Sequence, residues 1–177
     1  MHLALLRGIN LAGHNAVAMS ELRGLVADLG FAEVRTLLQS GNVVFNGGAR
    51  KPAQLERLLE AEAAKRLRLE IDFFVRTAAE WQSVIDRNPF ETEATRDPAH
   101  LLVVFLKAAP TPAQVKALRG AIVGREVVKS DGRHAYIVFP DGIGRSRLTH
   151  TLIEKHLGTR GTGRNWNTIR KMAALAC

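Results

Sequence analysis

The chain has 177 residues, 46% of them hydrophobic and 24% charged, enough for one ordinary domain or two small ones sharing a core. No apolar run reaches 18 residues, so no membrane-spanning helix is expected, and the one cysteine, Cys177, excludes a disulfide framework or a cysteine zinc site within one chain. The net charge of +8 is unevenly placed: residues 1–99 hold 12 Lys and Arg against 13 Asp and Glu, residues 100–177 hold 13 against 4. A second half this basic points to an anionic partner, a small molecule or nucleic acid, although it contains no run of five or more basic residues.

His2 to Arg7 (HLALLR) predicts a short strand; it has neither the basic leader nor the cleavage site of a signal peptide. With the lone cysteine, that predicts a cytoplasmic protein. GINLAGHNAVA follows as a loop, then Met19 to Leu29 carries Leu22, Leu25, Val26 and Leu29 at helical spacing and ends at Gly30, a natural left-handed cap. Val34–Leu38 and Asn42–Phe45 read as strands joined by a tight Ser40-Gly41 turn. Pro52 opens a long helix striped by Leu55, Leu58, Leu59, Ala63 and Leu67, and Ile71–Val75 is the next strand. Thr77 and Glu80 form a capping box for a short helix that Asn88-Pro89 stops, and Glu91–Pro98 reads as a polar linker.

The second half repeats the scheme roughly 98 residues later, counting from His2 to His100. His100–Lys107 is a strand, Thr111-Pro112-Ala-Gln114 a second capping box, and Val127–Lys129 and Ala135–Phe139 a hairpin turning at Asp131-Gly132. Leu148–Leu157 is a helix ended by Gly158. RGTGRN is the only candidate for a last strand, and Asn167 is placed to cap a final helix, Thr168–Ala176. The fold class is therefore α+β: two tandem ferredoxin-like plaits, βαββαβ repeated, the second with a short or missing last strand, plus a C-terminal helix. The expected units are 1–76 and 100–177, with a helix and linker over 77–99. Several strands are apolar on both faces, so the sheets need cover from each other, from the C-terminal helix or from a second subunit in a homo-oligomer. Phe105 and Tyr136 are the aromatics placed to stack nucleic-acid bases, and core packing is the competing reading of both.

In a βαββαβ unit the end of the first strand lies at the same sheet edge as the turn between the second and third. That brings Arg7, Asn10, His14 and Asn15 beside Gln39, Ser40 and Asn42, with backbone amides near Gly8, Gly13 and Gly41 able to approach an anion. Arginine grips phosphate or carboxylate through its planar fork, and His14 is a candidate acid or base. The same residues also suit a structural network, with Arg7 pairing a carboxylate such as Glu33. Arg164, Asn165 and Asn167 of RNWNT are candidates for a third wall, Trp166 anchoring them to the core. DGIGRSR (Asp141–Arg147) offers glycines and two arginines just before a helix, a possible phosphate cradle. No known cofactor loop is present, and His150 and His156 are wrongly spaced for a metal on one helix face.

The RGIN stretch through QSGN, the short NPF at Asn88–Phe90, and RNWNT together resemble the bacterial family named domain of unknown function 1697, over almost the whole chain. The resemblance implies two ferredoxin-like plaits in tandem and no established activity. Its signature positions here are Arg7, Gly8, Asn10, Gly13, Met19, Gly30, Gln39, Ser40, Gly41, Asn42 and Arg164 to Asn167. Leu37-Leu38 departs from it where many members have an aromatic. Three functions are expected to compete: a binding module for an anionic ligand, an enzyme on a polar phosphate- or carboxylate-bearing metabolite, and an interaction protein.

Overall fold

The doubly apolar strands of the sequence are buried on both faces within a single chain. In β1 (His2–Leu6), Ala4 and Leu6 face one way and His2, Leu3 and Leu5 are buried as well. The computed structural model describes residues 1–10 and 16–176, so the readings made of Gly13, His14, Asn15 and Cys177 lie outside the described residues. Two units divide the chain, Met1–Ser83 with Lys171–Cys177, and Val84–Arg170.

The first unit continues with α1 (Met19–Asp28), β2 (Ala32–Thr36), β3 (Asn42–Asn46), α2 (Pro52–Leu67) and β4 (Phe73–Thr77). Its sheet is antiparallel throughout, in the order β2-β3-β1-β4. Leu22, Leu25 and Val26 of α1 and Leu55, Leu59 and Ala63 of α2 pack on the Ala4, Leu6, Val43, Phe45, Phe73 and Val75 face. Gly30 ends α1 at φ 82°, and Phe31 turns back into this core. The opposite face holds Leu3, Leu5, Val44, Phe74 and Arg76, each fully buried. Arg76 is accommodated by a carboxylate: its Nη1 lies 3.7 Å from Glu56 Oε1, which also accepts the Val75 N–H at 2.8 Å.

Next in the chain is α3 (Ala78–Asp86), opened by the expected box: Glu80 accepts the Thr77 N–H at 2.8 Å, and Thr77 Oγ1 accepts the Glu80 N–H at 3.1 Å. The expected linker is corrected. Glu91–Arg96 is a helix, α4, with no buried residue, so it has no apolar stripe from which to be recognised. Between α3 and α4, Asn88 closes the NPF turn, its Oδ1 accepting the Phe90 N–H at 3.1 Å.

The second unit adds β5 (Leu101–Leu106), α5 (Pro112–Gly120), β6 (Val127–Asp131), β7 (His134–Val138), α6 (His150–Leu157) and β8 (Gly161–Asn165), the sheet again antiparallel in the order β6-β7-β5-β8. The last strand is neither short nor missing: β8 pairs along Leu102–Leu106. Its two glycines are what that pairing requires. A Cβ on Gly161 would stand 2.8 Å from Val104 Cγ1 and 2.9 Å from Leu106 Cδ2, and one on Gly163 3.0 Å from Leu102 Cδ2. The C-terminal helix, α7, runs Trp166–Ala176. Among the described residues, no helix is long and apolar enough to cross a membrane. Val103, Phe105 and Tyr136 of the second sheet are also fully buried in the single chain.

Candidate functional site

The edge begins where β1 stops. Leu6 donates its N–H to the Gly41 carbonyl at 2.9 Å and Arg7 donates to the Asp72 carbonyl at 3.1 Å, tying the strand exit to the β2–β3 turn on one side and to the approach to β4 on the other. Gly41 has φ 76°, and a Cβ there would meet Ile9 Cδ1 at 2.6 Å and Leu6 Cβ at 2.8 Å, so both backbone conformation and close approach demand glycine.

Asn10 and Gln39 are brought together, through the asparagine side chain. Asn10 Nδ2 donates to the Gln39 carbonyl at 2.7 Å and to the Val17 carbonyl at 3.0 Å, and its Oδ1 accepts the Val17 N–H at 2.9 Å. Asn10 does this from a left-handed backbone, φ 53°. Asn42 is fully buried and braces the turn from within, donating to the Leu37 carbonyl at 2.6 Å and to Ser40 Oγ at 3.1 Å. The amides of Asn10 and Asn42 are thus scaffold, while the Gln39 and Ser40 side chains are exposed. Arg7 is partly exposed, and its Nη1 lies 3.9 Å from Asp72 Oδ2. The carboxylate beside it is therefore Asp72. Glu33 instead lies 3.5 Å from Arg35. His14 lies outside the described residues.

Leu38 is the member of this edge that sequence patterning did not single out. It holds φ 58° and is 49% exposed, an unusual pairing for a large aliphatic side chain. The only available signal was the Leu37-Leu38 pair before the turn.

The RNWNT residues belong to the second unit. Arg164 is buried, donating through Nη1 to Thr162 Oγ1 at 2.9 Å and to the Gly163 carbonyl at 2.8 Å. Burial lowers its pKa to about 10, which leaves it charged at neutral pH. The cap of α7 is Asn165, not Asn167: Asn165 Oδ1 accepts the Thr168 N–H at 3.0 Å, and Asn167 is exposed. Trp166 is buried, as expected of an anchor. The DGIGRSR arginines do not lead directly into a helix. Ile143–Arg145 is a 3-10 turn, Asp141 pairs with Arg125 at 3.2 Å, and α6 starts later, capped by Thr149 Oγ1 on the Leu152 N–H. Among the described residues no group of three or more His, Cys, Asp and Glu is placed to hold a metal ion.

Residues 1–136 match the family described as Protein of unknown function (DUF1697). The chain belongs to this family. No curated protein matches the sequence. Among solved structures, the DUF1697 chain is similar to that titled "The structure of conserved bacterial protein SP0830 from Streptococcus pneumoniae", with a TM-score of 0.72 and 24% identity over 99% of this chain and 98% of that one. At that identity the likeness speaks for the fold alone.

Proposed function

We propose that the protein is a cytoplasmic binding module whose first unit holds a small anionic ligand at the Arg7–Gln39 edge. The observation that carries this reading is the pair of left-handed residues there, Asn10 at φ 53° and Leu38 at φ 58°. Such backbone is costly for a residue like Leu38 and tolerated by asparagine, and it gathers where a surface must be held in one shape. Asn10 supplies the hold, leaving Gln39 and Ser40 exposed beside Arg7, which can contact a carboxylate or phosphate.

A small ligand is favoured over nucleic acid because all seven Phe, both Trp and the single Tyr are buried, leaving none of these rings exposed for a base to stack on. Binding is favoured over catalysis because, among the described residues proposed for this edge, Arg7, Gln39 and Ser40 offer no group that ordinarily exchanges a proton near neutral pH.

Each unit is read as a ferredoxin-like plait and the pair as a tandem duplication. The two strand orders correspond element by element, and so do the bonds at the strand exits: Leu6 to Gly41 and Arg7 to Asp72 in one, Leu106 to Arg133 and Lys107 to Arg160 in the other.

The test is an amide NMR titration with inorganic phosphate and with acetate. Saturable shifts at Gln39, Ser40 and Gly41 that vanish in Arg7→Ala are expected. Absence of shifts at these amides with both anions would overturn the site.

A further inference from the structure

His2 opens β1 and is 4% exposed, the one buried histidine among the described residues. Its ring stacks on Phe45 of β3, with centroids 5.9 Å apart and planes 26° from parallel, and Phe45 in turn lies 5.0 Å from Phe31. Arg50 closes this row at both ends. Its guanidinium sits 5.2 Å over the Phe31 ring, and its carbonyl accepts a hydrogen bond from His2 Nε2 at 3.2 Å. A side chain of β1 thus holds the connection between β3 and α2, residues 46–51.

A carbonyl oxygen only accepts, so Nε2 carries the ring proton and Nδ1 is left as an acceptor. Nδ1 is closed to water and meets no donor among the described residues. Gly47 stands on that side: a Cβ there would lie 2.8 Å from Nδ1 and 2.9 Å from Leu55 Cδ1. A second proton would have to sit on Nδ1, making a buried cation with one N–H that faces neither acceptor nor water. The ring is therefore held neutral while the connection stays closed.

The charges around the ring do not reverse this. From α3, Glu80 favours the charged form, but its carboxylate also accepts the Thr77 N–H at 2.8 Å. Phe45 of β3, Thr77 of β4 and Gly47 of the connection bring no charge. Burial first, then the Met1 amino group, outweigh the Arg50 carbonyl and Glu80, and the pKa of His2 is lowered from 6.5.

We propose that His2 is an acid-sensitive latch on the 46–51 connection: the neutral ring holds it closed, and protonation at Nδ1 releases it. The adjacent glycines, Gly47 and Gly48, give this segment backbone freedom to move. The start of α2 is secured independently, by Pro52 in the first turn and by Gln54 Oε1 accepting the Lys51 N–H at 3.1 Å, so the release is local. Below pH 6.5 the open form binds more protons than the closed one. Closure is therefore complete above 6.5 and weakens as pH falls, by up to about tenfold per pH unit, until the closed-state pKa is reached.

The test is an NMR titration of the full chain between pH 7.5 and 4.5, following the imidazole of His2 and the amides of the connection. The His2 ring should titrate with a midpoint below 6.5, and the Gly47, Gly48 and Lys51 amides should move with the same midpoint. Hydrogen exchange at Gly48 and Lys51, corrected for the intrinsic rate, should accelerate as pH falls below 6.5, while Val44 within the sheet keeps its protection. In His2→Gln, which keeps a donor for the Arg50 carbonyl but does not titrate, exchange at those amides should be flat with pH. Should that variant not fold, the titration of the parent decides alone. A His2 midpoint at or above 6.5, connection amides that ignore it, the same pH dependence in His2→Gln, or loss of protection at Val44 along with the connection would each overturn the latch. Phosphate shifts at Gln39, Ser40 and Gly41, at the other end of β1, are read at pH 7 in both proteins, so failure of that edge and failure of the latch are seen separately.

Discussion

Asn10 Nδ2 donates to the Gln39 carbonyl at 2.7 Å, the bond that fixes the end of the first strand against the β2–β3 turn. Replacing Asn10 by Ala removes three hydrogen bonds and leaves alanine at φ 53°. A loss of about 2–4 kcal/mol in urea unfolding is expected. Asn10→Asp keeps an acceptor for Val17 and a residue tolerant of left-handed backbone, and should cost less. A loss under about 1 kcal/mol for the alanine variant would mean that the clamp is not what holds the edge.

Leu38 should respond in the opposite direction. Its side chain is 49% exposed, so little burial is at stake, while its φ of 58° disfavours any L-residue. Removing a left-handed penalty of about 1–2 kcal/mol, less about 0.5–1 kcal/mol for the greater chain entropy of glycine, leaves Leu38→Gly more stable by about 0.5–1 kcal/mol. If the strain serves the ligand edge, the stabilised variant should bind more weakly. A clear loss of stability instead would show that the side chain packs against something it needs.

Tyr136 gives a pH signature on the alkaline side. The ring is fully buried and its hydroxyl donates to the Val84 carbonyl at 2.9 Å. Burial first, then the charge of Asp131, raises its pKa from 10 to about 12. The folded protein therefore holds the phenol proton where the unfolded chain has released it. The resulting stability is complete below pH 10 and is lost as pH rises from about 10 to about 12, at a slope approaching 1.4 kcal/mol per pH unit. As the sequence has one tyrosine, the phenolate absorbance of the whole protein reports this group. A titration with a midpoint near 10 in the folded state would contradict the burial.

Glu56 and Arg76 offer a fourth test. Arg76 is fully buried and Glu56 Oε1 lies 3.7 Å from it, so Glu56→Ala leaves a buried guanidinium without this carboxylate and the Val75 N–H without its acceptor. A loss of about 3–5 kcal/mol is expected in urea unfolding. Replacing the pair together by Glu56→Gln/Arg76→Met should cost less than Glu56→Ala, and the reverse order would contradict the pairing.

Much of the fold was legible in the sequence because its signals are local. Gly30 and Gly158 mark helix ends, the Thr77 and Thr111 boxes mark helix starts, and Asp131-Gly132 marks a hairpin. The convergence of Asn10 with Gln39 followed from strand order. What was hidden depended on partners distant in sequence. GTGRN looked too weak for a strand because its glycines are selected by Leu102, Val104 and Leu106 on the neighbouring strand. The α4 helix buries nothing and so leaves no stripe. Glu33 was the nearer carboxylate in the chain, but Asp72 is the one that β-sheet pairing carries to Arg7. The caps show the same limit, since Asn165 and Asn167 are chemically equal and only the start of α7 at Trp166 selects the first.

The tryptophans are apportioned one to each unit, Trp81 in the first and Trp166 in the second, both buried. Their fluorescence can therefore serve as two separate clocks. In Trp166→Phe the emission follows the first unit, in Trp81→Phe the second, and comparing the two refolding traces reveals whether one half of the chain acquires its structure before the other.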